Sequence, residues 1–108
     1  MPNAFTVEVK EIIKQIPVGK VSTYGFVAAM AGNPSAARQV ARILHSSSRK
    51  DNLPWHRVVN RLGKISLPQH NGYERQKRLL KKEGIVFDTG DTIDLDRYLW
   101  LLEAQQTD

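Results

Sequence analysis

The sequence predicts a mainly α domain with a short β-hairpin, organised around a helix-turn-helix. Three observations lead there. Apolar residues recur at helical spacing in several short runs, each closed by Gly or Pro. Two short runs rich in β-branched residues flank Arg61-Leu62-Gly63, whose glycine suits a tight turn. Finally, 108 residues that are 41% hydrophobic and 25% charged suffice for one modest core, which predicts a single domain spanning residues 1–108.

Taken in order, Phe5, Val9, Ile12, Ile13 and Ile16 fall on one side of a first helix. Glu8, Glu11 and Lys14 fall on the other, and Pro17-Val18-Gly19 ends it. Ser22 or Thr23 caps a short second helix through Tyr24, Val27, Ala28 and Met30, closed by Gly32. Asn33 then stands as the cap of a third helix, with Pro34 at the first helical position, where its missing N–H costs nothing; this helix runs to about His45. Two short helices split by a Gly-containing break make a helix-turn-helix, with the third helix as its recognition element. On that helix Ala37, Val40, Ile43 and Leu44 gather on one side. Arg38 and Arg42, one turn apart, face the other way, either as solvated surface or as contacts to phosphate or a groove.

Residues 46–53 are polar and loop-like, and residues 57–60 and 64–67 read as the two strands of the hairpin. Residues 68–72 form a loop without an apolar anchor. A fourth helix follows from about Tyr73 to Glu83 and stops at Gly84. Its inward face gathers Tyr73, Leu79 and Leu80, while Lys77, Arg78, Lys81 and Lys82 mostly point away; yet Gln76 and Glu83 share the apolar arc. A carboxylate at such an edge needs water or a partner, so Glu83 either reaches solvent near the helix end or meets a histidine. After Asp88-Thr89-Gly90-Asp91, residues 93–100 form a last short element, helix or strand, whose aromatics pack on the body.

The net charge of +5 is unevenly spread. Residues 1–87 carry 15 Lys/Arg against 5 Asp/Glu, whereas residues 88–108 carry 1 against 6. A basic body with an acidic tail has a directional field, suited to docking one face on a polyanion. Arg38, Arg42, Arg49, Lys50, Arg57, Arg61 and Lys64 form a basic strip for phosphate contact, with Arg57 either part of it or internal and holding a loop. The absence of cysteine excludes disulfides, zinc–thiolate sites and thiol chemistry. His45, His56 and His70 have no local metal-ligand spacing, so neither metal nor other cofactor is expected. No apolar run approaches the roughly 20 residues of a membrane span. Met1-Pro2-Asn3-Ala4 lacks a basic region leading into an apolar stretch, so no membrane association and no secretory signal are expected.

The strip Pro54-Trp55-His56-Arg57-Val58-Val59 resembles the active-site strip of the DNA repair alkyltransferases that act on O6-alkylguanine, where Pro is followed by the acceptor Cys and then His-Arg-Val. Residues 17–25, Pro-Val-Gly-Lys-Val-Ser-Thr-Tyr-Gly, are similar to that family's turn into the helix-turn-helix, and residues 31–40 to its recognition helix. Lys82-Glu83-Gly84 falls where the family has Glu-Gly after a Leu-Leu pair. The resemblance runs from about Phe5 to Tyr98 and is greatest to the alkyltransferase-like, non-enzymatic branch, since Trp55 stands in the place of the acceptor Cys. It implies a winged-helix-like helix-turn-helix DNA-binding domain, as in the C-terminal domain of O6-alkylguanine-DNA alkyltransferases.

Residue by residue, the resemblance implies that Arg38 enters the stack through the minor groove and fills the gap left by an extruded nucleotide. Tyr24 crowds the neighbouring phosphate, and Ser35, Gln39 and Arg42 join these two at the DNA. Trp55, His56, Arg57 and Val58 line the pocket for the flipped guanine, with the Trp55 and Val58 carbonyls toward its exocyclic amine, and Glu83 pairs with His56. Two positions depart from the pattern: Ser47 stands where active enzymes have an Asn hinge, and residues 68–72 lack the Tyr and Ser-Gly-Gly that close the pocket.

In-line alkyl transfer needs a soft nucleophile such as thiolate, and indole has no usable lone pair, so no catalysis is expected. An aromatic face does suit a flipped base, and extrusion is cheaper at a poorly paired one. The expected function is a sensor that binds double-stranded DNA containing O6-alkylguanine, flips the base without reacting, and flags it for nucleotide excision repair, the family's partner pathway. The protein is expected to be monomeric, intracellular and DNA-associated, in cytoplasm or nucleoid if bacterial. The alternative is a helix-turn-helix transcriptional regulator of undamaged DNA, with a residual enzyme ranked last.

Overall fold

The structure, a computed structural model, describes residues 3–101. Met1, Pro2 and the last seven residues of the acidic tail therefore lie outside the described residues. Helix α1 (Ala4–Lys14) begins at Asn3, whose side chain accepts from the Thr6 N–H at 2.8 Å. It buries Val9, Ile12 and Ile13 on the face its sequence period dictates. Strand β1 (Ser22–Thr23) passes directly into α2 (Tyr24–Met30), and of the two candidate caps Thr23 serves, accepting from the Phe26 N–H.

Helix α3 (Ala37–Ser47) starts later than the sequence suggests. Asn33 does not cap it. Its side chain accepts from the Ser35 N–H at 3.1 Å and its carbonyl from the Ala36 N–H, which folds Pro34 and Ser35 into a separate turn. Val40, Ile43 and Leu44 face the core as expected, and they pack with α1, α2, Leu53 and Val58 in a first apolar cluster.

The hairpin is displaced from its expected place. Strand β2 (Val58–Val59) pairs in parallel with β1, Ser22 opposite Val58 and Thr23 opposite Val59. Residues 64–67 make no second strand. Asn60 intervenes: its side-chain oxygen takes the N–H groups of both Leu62 and Lys64, closing a turn in place of a ladder. Gly63, at φ +77°, sits where a Cβ would run into the Ile93 carbonyl, while its own carbonyl accepts from the Ile93 N–H at 2.8 Å. The antiparallel pair lies further on, between β3 (Phe87–Asp88) and β4 (Thr92–Ile93), around the turn that carries Gly90 and Asp91 at positive φ.

Residues 69–73 form one wide turn, interrupted at Asn71 and Gly72, that leads into α4 (Glu74–Lys82). The Gly84 N–H closes on the Lys81 carbonyl at φ +95°, so the helix stops where the sequence predicts. The last element is helical, α5 (Leu95–Tyr98), and a parallel bridge joins Val21 to Leu99 beyond it. Tyr98 is buried, and its hydroxyl accepts from the Val86 N–H. Val21, Val59, Leu80, Ile85, Ile93 and Tyr98 make a second apolar cluster. Val58 and Val59, both without solvent exposure, thus anchor one strip in two cores, each burial stabilising by about 1.5–3 kcal/mol.

Candidate nucleic-acid interface

An open cavity of about 850 Å³ lies between α3, the strip at residues 54–59, the wide turn and the start of α4. Its wall includes Tyr24 from α2, Arg38 and Arg42 from α3, Trp55 from the strip, and Gln76 from α4. The Tyr24 hydroxyl lies 3.0 Å from the Ser66 hydroxyl, tying α2 to the segment that enters the wide turn. Trp55 opens a single 3-10 turn, and its ring meets that of His56 edge to face, 6.0 Å between centroids. The Arg75 guanidinium stands 5.8 Å from the Trp55 ring centre without lining the cavity itself.

Behind this wall is a charged hub centred on Glu83, the C-cap of α4. Arg57 donates to both carboxylate oxygens, at 2.8 Å from Nη2 and 3.0 Å from Nε, while its Nη1 reaches the Ile16 carbonyl at the end of the α1 segment. His56 Nε2 lies 2.7 Å from Oε2, and the Gly19 N–H donates to Oε1 at 3.2 Å. Burial pushes the Glu83 carboxyl up, but the bonds from Arg57, His56 and Gly19 outweigh it and hold the pKa at about 2. With the carboxylate ionised, His56 donates to it through Nε2.

Of the residues expected to line a pocket, Tyr24 and Trp55 do so, together with Arg38 and Arg42. His56, Arg57, Val58 and Glu83 do not line this cavity: the first two and Glu83 form the hub, and Val58 is fully buried. The open choices close accordingly. Glu83 meets a histidine, and Arg57 is internal, so it leaves the basic strip. Arg38 and Arg42 are exposed and have no carboxylate partner among the described residues. Ser35 is exposed in the turn before α3, and Gln39 borders a separate open cavity with Asn3, Phe5 and Glu8. The Trp55 carbonyl accepts from the Val58 N–H and the Val58 carbonyl from Gln76.

Gln76 and Arg75 are the residues against the strip that the sequence did not single out. Gln76 is 2% exposed, and its amide donates to the carbonyls of His56 and Val58 at 3.0 and 3.1 Å, clamping the strip from α4. An amide on the apolar arc of α4 was the available signal, since a buried polar group implies partners. Arg75 gave none, because a basic residue on an exposed helix face reads as solvated surface. Among the described residues no cluster of His, Cys, Asp or Glu could hold a metal, and no helix is long and apolar enough to cross a membrane.

Comparison with known proteins places these features in company. Residues 4–85 match the family described as the DNA-binding domain of 6-O-methylguanine DNA methyltransferase. A DNA base-flipping protein of Escherichia coli (strain K12) is 46% identical over 98 residues, covering 91% of this chain and 75% of its own. Alkyltransferase-like protein 1 of Schizosaccharomyces pombe is 40% identical over 101 residues, covering 89% of this chain and 94% of its own. A crystal structure of S. pombe Atl1 in complex with damaged DNA containing O6-carboxymethylguanine superposes with a TM-score of 0.81 at 37% identity, covering 91% of this chain and 95% of that one.

Proposed function

The chain belongs to the family of the 6-O-methylguanine DNA methyltransferase DNA-binding domain, and from that premise we propose that it binds duplex DNA carrying O6-alkylguanine, turns the damaged nucleotide out of the stack and holds it without taking its alkyl group. One observation carries this reading: the cavity that would receive the base has Trp55 in its wall, at the acceptor position of the active-site strip, in a chain with no cysteine.

The steps follow from the residues. Arg38, Arg42 and the exposed cations of the strip draw the duplex in through its phosphates. Arg38 fills the space the nucleotide vacates, and Tyr24 presses on the adjacent phosphate. Alkylation at O6 weakens pairing, so the damaged base leaves the stack at lower cost than guanine does. Trp55 then packs against it, with the base's amine turned toward the Trp55 carbonyl. His56 and Glu83 retain the pairing that an acceptor thiol would use, yet the indole in the thiol's place accepts no alkyl group. The domain acts as an intracellular, DNA-associated monomer and hands the marked site to nucleotide excision repair.

The transcriptional-regulator alternative leaves the cavity and the Trp55 strip without a use. Band shifts with duplexes containing guanine or O6-methylguanine at matched salt provide the test. Tighter binding of the damaged duplex, with no methyl group found on the protein afterwards, is the expected result. Equal affinity for the two would sink the reading.

A further inference from the structure

The wall that the wide turn gives the cavity has no apolar footing. Ser66, Leu67, Pro68 and Asn71 line it, yet no side chain between Ile65 and Gln76 is buried. The Asn71 and Tyr73 N–H groups both donate to the Pro68 carbonyl, at 3.0 and 3.3 Å, and the Leu67 side chain lies over Gly72, where a Cβ would meet it. These contacts fold the turn on itself without fastening it to the body. A segment that buries so little opens cheaply unless its ends are tied. The Tyr24–Ser66 hydroxyl pair ties one end.

At the other end the Tyr73 hydroxyl donates to Asp91 Oδ2 at 2.6 Å. Lys77 Nζ holds Asp91 Oδ1 at 2.9 Å and stands 5.8 Å from the Phe87 ring centre, so both carboxylate oxygens are engaged. Asp91 has φ +55°, a left-handed conformation that Asp tolerates better than most residues. It sits just before β4, whose Ile93 is buried in the second apolar cluster. The wall is thus moored to that cluster through a hydroxyl and a carboxylate that both stand outside the cavity. We propose that Tyr73 and Asp91 latch the wall and thereby set how firmly the cavity grips an extruded base. They are positioning residues that touch neither base nor phosphate. The inference rests on the lesion-binding reading above and adds the residues that hold its site in shape.

Tyr73→Phe removes the hydroxyl and keeps the ring, whereas Asp91→Asn keeps an acceptor and loses the charge. By fluorescence anisotropy, Tyr73→Phe should lower the preference for O6-methylguanine over guanine duplexes about fivefold, and Asp91→Asn about twofold. Binding of the guanine duplex should hold within about twofold, because Arg38 and Arg42 are untouched. Amide hydrogen exchange at Asn71 and Tyr73 should quicken about tenfold in Tyr73→Phe, while Val40 and Ile43 in α3 keep their rates. A preference within about 1.5-fold of the wild type would overturn the proposal, as would affinities for the two duplexes that fall in parallel. Exchange that stays unchanged at Asn71, or that quickens equally in α3, would do the same. The two readings fail separately. Wild-type protein that binds both duplexes equally loses the lesion-binding reading, and exchange at Asn71 and Tyr73 then decides the latch alone. Wild-type protein that prefers O6-methylguanine, with a preference that Tyr73→Phe leaves intact, loses only the latch.

Discussion

Arg57 and Arg38 carry the same side chain into opposite circumstances. Arg57 is enclosed, with its guanidinium shared between Glu83 and the Ile16 carbonyl, and it joins α1, the strip and the end of α4. Arg38 stands exposed on α3 at the cavity, with no carboxylate partner among the described residues. A charge enclosed with its counter-charge holds a fold in register and has nothing left to offer a ligand; a charge left in water costs the fold little and stays free for phosphate. The molecule therefore separates a hub that braces the strip from the face proposed to meet DNA.

The largest effect that would break this division lies at the hub. Glu83→Ala strands Arg57 and His56 without their acceptor, and urea denaturation should register a loss of about 3–5 kcal/mol. A loss below about 1 kcal/mol would mean that water replaces the carboxylate and that the hub is dispensable. Acid probes the same point. The folded-state pKa of Glu83, about 2, lies below the ordinary value of 4.5, so its contribution is fully present above pH 4.5 and is lost as pH falls toward 2. That contribution is about 3 kcal/mol. Stability measured across this window should decline more steeply for the wild type than for Glu83→Gln; parallel profiles would count against the hub as the source.

Effects at the face should appear in binding instead. Trp55→Ala should reduce the preference for O6-methylguanine over guanine DNA by about 5- to 150-fold, the equivalent of about 1–3 kcal/mol of stacking. An unchanged preference would remove Trp55 from the base's surroundings. Arg42→Gln should change folding stability by no more than about 0.5 kcal/mol, while the slope of log affinity against log salt becomes shallower by about 1. A large stability change with an unaltered salt slope would place Arg42 with Arg57 rather than with Arg38.

What the sequence made legible follows the range of the interactions involved. The periodicity of α1, the Thr23 cap and the Gly84 stop are local, and each forms where the pattern points. The Glu83–His56 pair was half legible: the out-of-place carboxylate left solvent or a histidine open, and only the family resemblance pointed to His56. The start of α3 was not, since Asn33-Pro34 satisfies a helix cap and a turn equally well until Ser35 takes the side-chain bond. The hairpin was placed in the wrong segment because the competing bonds of Asn60 and the distant partner of β2 leave no periodic trace. The Gln76 clamp spans 18 to 20 residues, and only the fold reveals which carbonyls it holds.

The bridge between Val21 and the segment after α5 has a consequence for biosynthesis. The Val21 N–H donates to the Tyr98 carbonyl and the Val21 carbonyl accepts from the Trp100 N–H, so β1 is flanked on one side by β2 and on the other by chain translated some eighty residues later. The helices that pack around α3 can assemble on a nascent polypeptide, as domains generally fold during synthesis. The second apolar cluster, which needs Ile93 and Tyr98, cannot close until those residues leave the ribosome. The Val59 end of the strip thus takes its final seat late, and a chain released before Trp100 would emerge with its first cluster packed under Trp55 but its second one open.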